Sequence, residues 1–159
     1  MIGNAIAQSA QPIISYNYGN GSYGRVRTAE RLAVISAVIC GVIVSGAFTL
    51  FPEMMVGLFL DTASPAAEIA IAGFPLFATA FVFFIFNLTA IGYFQSVEKV
   101  RPSIIFALLR GAVFLIPSFI LVPRMFGSSG IWLSLFVSEF LTSLCIIGFY
   151  AYKRYVDAK

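Results

Sequence analysis

Two charged residues lie inside long apolar stretches of this chain, where a charge has the largest chemical consequence. Arg110 is the only charged residue in the stretch 103–122, and Glu139 is the only one in the stretch 131–150. A charge at the centre of a membrane helix costs about 2.5–3.5 kcal/mol on insertion scales, so such residues usually face protein and carry a role. The pattern therefore indicates that both side chains point into a helix bundle.

Three chemical roles are compatible with this placement. Arg110 and Glu139 can form an ion pair between neighbouring helices. Alternatively, Arg110 extends along the helix to the cytoplasmic surface and leaves Glu139 protonated or hydrogen-bonded elsewhere. In the third alternative Glu139 binds a cation or a proton, because a buried carboxylate needs a compensating partner.

The elements that hold these residues are predicted from composition and from the spacing of charges. The chain is 60% hydrophobic and 11% charged, whereas a soluble domain carries about 25% charged residues. Four apolar stretches each have the roughly 20 residues that a helix needs to cross a bilayer. We therefore predict an all-α integral membrane protein with transmembrane helices at 32–51, 69–97, 103–122 and 131–150.

The net charge of +3 does not indicate a nucleic-acid partner, because the basic residues lie beside the ends of the predicted spans. Of the ten Lys and Arg residues, all except Arg110 and Arg124 fall on one side of the four-span alternation. They are Arg25, Arg27, Arg31, Lys99, Arg101, Lys153, Arg154 and Lys159. Because basic residues concentrate on the cytoplasmic side of membrane proteins, we predict a multi-pass protein of the cell membrane. Its loop at 20–31 and its tail at 151–159 are expected to be cytoplasmic.

Residues 1–19 have the character of a helix that cannot cross a bilayer by itself. Pro12 removes a backbone donor near the middle, and polar side chains interrupt the segment at Asn4, Gln8, Gln11 and Asn17. Unsatisfied polar groups are costly in lipid, so the segment must pack among other helices or line a wet cavity. We interpret it as the end of a truncated transmembrane helix, with an interfacial or disordered arm as the alternative. Gln11 and Asn17 are therefore candidate cavity residues, as is Asn87 in the middle of the second span.

Small residues at a uniform spacing of four mark one face of the first span. They are Ala33, Ala37, Gly41, Ser45 and Thr49. Such a stripe lets another helix backbone approach closely. We predict a packing seam, and a sliding surface during conformational change is a further hypothesis.

Three prolines predict irregular geometry in the other spans. Pro75 is expected to kink or tilt the helix at 69–97. Pro117 is expected to kink the helix at 103–122, and Pro123 is expected to end it.

Four motifs, in this order and spacing, resemble those of one transporter family. They are Gln-Pro-Ile-Ile-Ser-Tyr-Asn-Tyr-Gly at 11–19, Tyr93-Phe-Gln-Ser followed by Lys99, Leu109-Arg110 followed by Ile116-Pro117, and Gly130-Ile-Trp-Leu-Ser followed by Glu139. On these residues the chain resembles, over essentially its whole length, the MATE family of multidrug and toxin extrusion antiporters. It departs from the family at Val97-Glu98, which replaces the usual small residue or glycine.

The resemblance implies a twelve-helix, two-lobe fold in which this chain corresponds to the end of helix 8 and helices 9 to 12. The N-terminal lobe would be a missing partner, and the fragment alone would be inactive. The family exports organic cations and other small-molecule drugs by alternating access, in exchange for H⁺ or Na⁺ and without a metal or organic cofactor. The implied substrate-cavity or coupling candidates are Gln11, Asn17, Asn87, Arg110 and Glu139. One branch of the family binds its cation with an acid in helix 10, but 69–97 contains no acid, so the coupling ion is not predicted.

Two other functions stay open at this level. One is a lipid-linked saccharide flippase of the same superfamily, which the presence of many more cavity Arg or Lys residues upstream of this chain would favour. The other is a nonenzymatic membrane assembly subunit that packs its seam of small residues against a partner. An enzyme is not expected, because the chain has no His and shows no nucleophile–base or metal-ligand constellation.

Overall fold

The computed structural model describes the backbone of residues 2–157 and the side chains of 3–153 and 155. Met1, the end of the predicted tail at 158–159 and the side chain of Arg154 lie outside the described residues. Every element in the described part is a helix, which confirms the predicted all-α membrane fold. The helices are α1 (Ile2–Gly19), α2 (Tyr23–Leu50), α3 (Pro52–Gly57), α4 (Pro65–Ala78), α5 (Ala80–Ser96), α6 (Val100–Leu108), a π-helical segment (Leu109–Val113), α7 (Leu115–Phe126) and α8 (Ser128–Asp157).

Three helical units in the described part are long and apolar enough to cross a bilayer. They are α2, the continuous unit Val100–Phe126 and Ser128–Lys153 within α8. Helices α4 and α5 meet the same test as a bent pair, which makes a fourth crossing. Helix α1 is not among these units, and it packs against α2 and α5. Helix α5 lies at the centre of the bundle, because α1, α2 and α8 all pack against it.

The predicted loop at 20–31 is wrong, since α2 begins at Tyr23 and the turn after α1 is only three residues long. Gly21 in this turn has a φ of +70°, a conformation that favours glycine. Val26 is buried against Ile14 of α1 and Val97 beyond α5. Burial of Val26 therefore holds the first turns of α2 in the bundle, while the arginines of this segment stay exposed.

The second crossing is broken rather than gently kinked. Helices α4 and α5 meet at an angle of 51°, and Thr79 lies between them. Pro75, one turn earlier, has no N–H to donate to the preceding turn. The Thr79 hydroxyl donates to the Leu76 carbonyl at 2.6 Å. The predicted irregularity is present, and the break falls four residues after the proline.

The third crossing contains a π-helical segment that the sequence did not predict. The Phe114 N–H donates to the Leu109 carbonyl at 2.8 Å, which is the i→i−5 spacing of a π-helix. Pro117 follows in the first turn of α7, where a missing N–H costs little. Pro123 does not end the helix, contrary to expectation, because α7 continues to Phe126. The helix ends instead at Gly127, whose φ is +61°.

The seam of small residues packs closely along most of α2. Ala33 is 8% exposed, Ala37 is fully buried, and Gly41 is buried against α5. Ser45 is half-buried, but Thr49 is exposed. The prediction is therefore wrong at Thr49, which lies at the end of α2 beyond the close contact with α5.

Replacing Gly41 with Ala should destabilise the bundle. A Cβ at Gly41 would lie 2.8 Å from the Val82 Cα, so the α2 and α5 backbones must move apart, at a typical overpacking cost of about 1–3 kcal/mol. Gly46→Ala is the matched control, because a Cβ there meets nothing within 4 Å and Ala favours the helix by up to about 1 kcal/mol. Thermal unfolding in detergent, followed by circular dichroism, measures both variants. Equal unfolding temperatures for the two would contradict the close α2–α5 contact.

Candidate functional site

Arg110 and Glu139 form an ion pair in the interior of the bundle. The Arg110 Nε donates to both Glu139 carboxylate oxygens, at 2.7 Å to Oε1 and 3.0 Å to Oε2. The Glu139 side chain is 2% exposed and that of Arg110 is 21% exposed. The structure thus contains the first of the three predicted alternatives, and the extension of Arg110 to the cytoplasmic surface is wrong.

Asn87 completes the coordination of the Glu139 carboxylate from α5. Its Nδ2 donates to Glu139 Oε2 and to the Glu139 backbone carbonyl, both at 2.8 Å. Its Oδ1 accepts from the Ser143 hydroxyl at 2.8 Å. Asn87 is fully buried, and this arrangement uses both its donors and an acceptor. Because each buried polar group finds a partner, the network is stable in an apolar surrounding.

The π-helical segment places Arg110 for this contact. Segments of this kind widen one turn of a helix and occur frequently at functional sites. The Ser138 hydroxyl of α8 donates to the Arg110 carbonyl at 3.3 Å. The Arg110 guanidinium also lies over the Phe84 ring of α5, with 4.4 Å between Cζ and the ring centroid. Cation–π contact of this type adds attraction where water is excluded. Arg110 is therefore held by both α5 and α8.

Helix α8 supplies a buried polar stripe that sequence reasoning did not single out. Its members recur at helical spacing along one face and are Ser134, Ser138, Glu139, Thr142 and Ser143, each at most 2% exposed. The hydroxyls of Ser134 and Thr142 donate to backbone carbonyls. The uniform spacing of four within Ser134, Ser138 and Thr142, and again between Glu139 and Ser143, could have indicated this stripe, because residues four apart are neighbours on a helix face.

The other two predicted cavity residues lie outside the Arg110–Glu139–Asn87 network. The Gln11 amide donates to Gln95 Oε1 at 3.1 Å and so links α1 to α5. The Asn17 amide donates to the Ile13 carbonyl of its own helix at 2.8 Å. The structure therefore brings three of the five candidates together and separates Gln11 and Asn17 from them.

A second acidic group, Glu30, was missed by sequence reasoning because its segment was taken for a loop. The Tyr150 hydroxyl donates to Glu30 Oε1 at 2.7 Å, and the Tyr93 ring lies 6.3 Å from the Tyr150 ring between centroids. Glu30 precedes Ala33 by three residues and Ala37 by seven, so it lies on the face of the packing seam. That spacing was a usable signal once the helix was extended backwards.

An apolar cluster separates Glu30 from the Arg110–Glu139 pair. It consists of Ala90, Ile91, Phe94, Phe106 and Ile146. Three of them lie on α5, Phe106 lies on α6 and Ile146 lies on α8. Along α8, Ile146 falls between Glu139 and Tyr150. The bundle therefore contains two polar sites of different composition with an apolar cluster between them.

Removing one member of the ion pair should cost more stability than removing both. Arg110→Met leaves the Glu139 charge buried without its cation, a change that typically costs about 3–5 kcal/mol. The double variant R110M/E139L removes both charges and should recover most of that loss. Arg124→Met is the matched control, because Arg124 is exposed and surface changes are usually within about 0.5 kcal/mol. A double-mutant cycle on unfolding in detergent measures the coupling, and additive single effects would contradict the pair.

Comparison with known proteins identifies the family. The MatE family model matches residues 1–121. The multidrug export protein MepA of Staphylococcus aureus (strain NCTC 8325 / PS 47) is 28% identical over 146 residues, which cover 87% of this chain and 30% of MepA. A probable multidrug resistance protein NorM of Pseudomonas aeruginosa is 28% identical over 125 residues, covering 75% of this chain and 26% of NorM. The chain thus spans less than a third of the length of these relatives.

A solved structure shares the fold. It is described as the outward-facing conformation of a multidrug resistance MATE family transporter of the MOP superfamily. The superposition has a TM-score of 0.81 at 19% sequence identity, and it covers 96% of this chain and 34% of that one. The family model covers most of the chain and the fold agrees with it, so the chain belongs to the MatE family.

Proposed function

We propose that this chain forms part of a multidrug efflux transporter that works by alternating access. The observation that carries the proposal is the match of residues 1–121 to the MatE family. The four apolar crossings support a location in the cell membrane. The proposed substrates are organic cations or other small-molecule drugs, and the proposed coupling ion is H⁺ or Na⁺. The bilayer and an N-terminal lobe are its proposed partners.

In this proposal the Arg110–Glu139 pair has a mechanical role. Alternating access by rocking requires a lobe that moves as a unit. The pair and Asn87 tie α5, the π segment and α8 together, and both carboxylate oxygens of Glu139 already accept hydrogen bonds. The network therefore suits a rigid connection better than reversible binding of a cation.

The lipid-linked flippase receives no support from this arrangement. A flippase cavity of the expected kind would present several unneutralised cationic side chains to an anionic substrate. Arg110, the basic residue in the middle of the third crossing, is neutralised by Glu139. We therefore favour drug export.

Drug export can be tested in vesicles that contain the full gene product carrying this chain. We expect dye efflux driven by a proton gradient or by a Na⁺ gradient. We expect none from a polypeptide limited to residues 1–159, because that length corresponds to 30% of MepA. Vesicles without protein are the control for leakage. Absence of efflux under both gradients would contradict the transport proposal, and full activity of residues 1–159 alone would contradict the need for a second lobe.

The proposed orientation places the C-terminus in the cytoplasm. Basic residues lie at the start of α2, at the start of α6 and just before it, and at the end of α8, and such residues favour the cytoplasmic side. A green fluorescent protein fused after Lys159 should fluoresce, whereas alkaline phosphatase fused at the same position should be inactive. The reverse pair of results would show that the chain is inserted the other way round.

A further inference from the structure

We propose that Glu30 binds and releases a proton at the end of the bundle where α2, α5 and α8 meet. The inference rests on the proposed function in one respect, because it names a proton as the ion to which export is coupled and Glu30 as the residue that carries it. Proton binding itself depends on the residues of this chain and can be measured without transport.

Glu30 lies beside residues of several helices, so a change in its charge affects the contacts between them. It is half-buried on α2, and its Oε1 accepts a hydrogen bond from Tyr150 of α8 at 2.7 Å. The two residues are 120 positions apart in the chain. Tyr93 of α5 lines the same small space. The carboxylate is thus a direct link between α2 and α8, with α5 beside it.

The partners of Glu30 differ in kind from those of Glu139. Arg110 and the Asn87 amide nitrogen only donate hydrogen bonds, so neither can accept from a protonated Glu139. A tyrosine hydroxyl both donates and accepts. Tyr150 can therefore donate to the Glu30 carboxylate or accept from the protonated carboxylic acid. Glu30 can exist in either state without leaving this partner unsatisfied.

Charged and titratable side chains of α2, α5, α8 and the segment after α5 lie around Glu30. They are Arg27 of α2, Tyr93 of α5, Lys99 after α5 and Tyr150 of α8. Helix α1 contributes the apolar side chains of Ala7, Ala10 and Ile14 to the lining of this space. Its Tyr18 interacts electrostatically with Tyr93. No arginine forms a direct ion pair with Glu30 in the described residues, unlike the contact that fixes Glu139. Lys99 and Arg27 add electrostatic attraction for the Glu30 carboxylate.

The space beside Glu30 favours a proton over a metal cation. The adjoining cavity has a volume of about 10 Å³, which is at the lower limit for one water molecule. Most of its lining is apolar, and the Thr89 hydroxyl already donates to the Ile85 carbonyl at 2.9 Å. Hard cations need six or more oxygen ligands, whereas four of the lining side chains carry oxygen and the cavity has room for about one water molecule. A proton needs only the carboxylate and its hydroxyl partner.

Protonation of Glu30 should weaken the connection between α2 and α8. A hydrogen bond to an ionised group is roughly twice as strong as one between neutral groups. When Glu30 takes up a proton, the bond to Tyr150 loses this contribution, and so does the attraction of Lys99 and Arg27. Proton binding would then loosen this end of the bundle while the Arg110–Glu139 pair stays intact.

Infrared difference spectroscopy tests proton binding directly. Spectra of the full gene product in detergent are recorded from about pH 8 downwards and compared in the range above the ordinary glutamate pKa of about 4.3, where an exposed glutamate stays ionised. We expect the wild type to show a protonated-carboxyl band that Glu30→Gln lacks. Glu53→Gln is the matched control, because Glu53 is exposed on α3, and it should keep the band. A band of full intensity in Glu30→Gln would overturn the proposal.

A second variant keeps the test valid if Glu30→Gln does not fold. Tyr150→Phe retains the carboxyl group and removes its hydroxyl partner, so the band should remain but titrate at a different pH. Tyr152→Phe is its control, because Tyr152 is 69% exposed, and it should titrate as the wild type does. An unchanged titration in Tyr150→Phe would overturn the pairing of Glu30 with Tyr150.

Dye efflux separates failure of this inference from failure of the proposed function. With a proton gradient, Glu30→Gln should export no more dye than empty vesicles, whereas Glu53→Gln should match the wild type. Proton-driven efflux at the wild-type rate in Glu30→Gln would overturn the coupling role. If the wild type shows the Glu30 band but exports no dye under any gradient, the proposed function fails and proton binding at Glu30 is supported.

Discussion

An unpaired charge is too costly in the apolar interior of this bundle, and the placement of its central helices depends on that constraint. Glu139 is almost fully buried, so a cation and further donors must be brought to it. The π-helical segment brings Arg110, and α5 brings Asn87. These contacts fix how far α8 lies along α5, because a shift of one helical turn would separate the carboxylate from both partners. The ion pair therefore determines the alignment of three crossings, while apolar packing supplies most of their contact area.

The close contact between α2 and α5 also fixes the position of α5. Small side chains on α2 allow the backbone of α5 to come near enough that even one added carbon at Gly41 would collide with Val82. Helix α5 is thereby held between the seam of α2 and the polar stripe of α8. The 51° break at Thr79 then redirects α4 towards the other end of the bundle. Rigid contacts and one sharp bend are combined in the same crossing.

Glu139 and the half-buried Glu30 illustrate how the partner determines what a carboxyl group can do. Glu139 is bound by groups that only donate hydrogen bonds, one of them permanently charged, and such partners suit a carboxylate. Glu30 is bound by a hydroxyl that can reverse its role, and it lies near the basic end of the bundle. An apolar layer separates the two sites. One site is therefore suited to hold the helices together and the other to change state.

The amino-acid sequence by itself determined that the chain is a helical membrane protein, since runs of apolar residues and the placement of Lys and Arg depend on local composition alone. It also determined that Arg110, Asn87 and Glu139 were the costly groups to bury, and it indicated the seam at Ala33, Ala37 and Gly41. The start of α2 at Tyr23 was missed because arginines suggested a loop, whereas burial of Val26 against α1 extends the helix. Only the tertiary structure decided which partner each polar group has. Gln11 and Asn17 have the same polar character as Asn87, yet they bind elsewhere, and Glu30 meets Tyr150 across 120 positions. These contacts join helices that are distant in the chain, and their geometry depends on the bend at Thr79, the π segment and the close packing of α5, which no local pattern specifies.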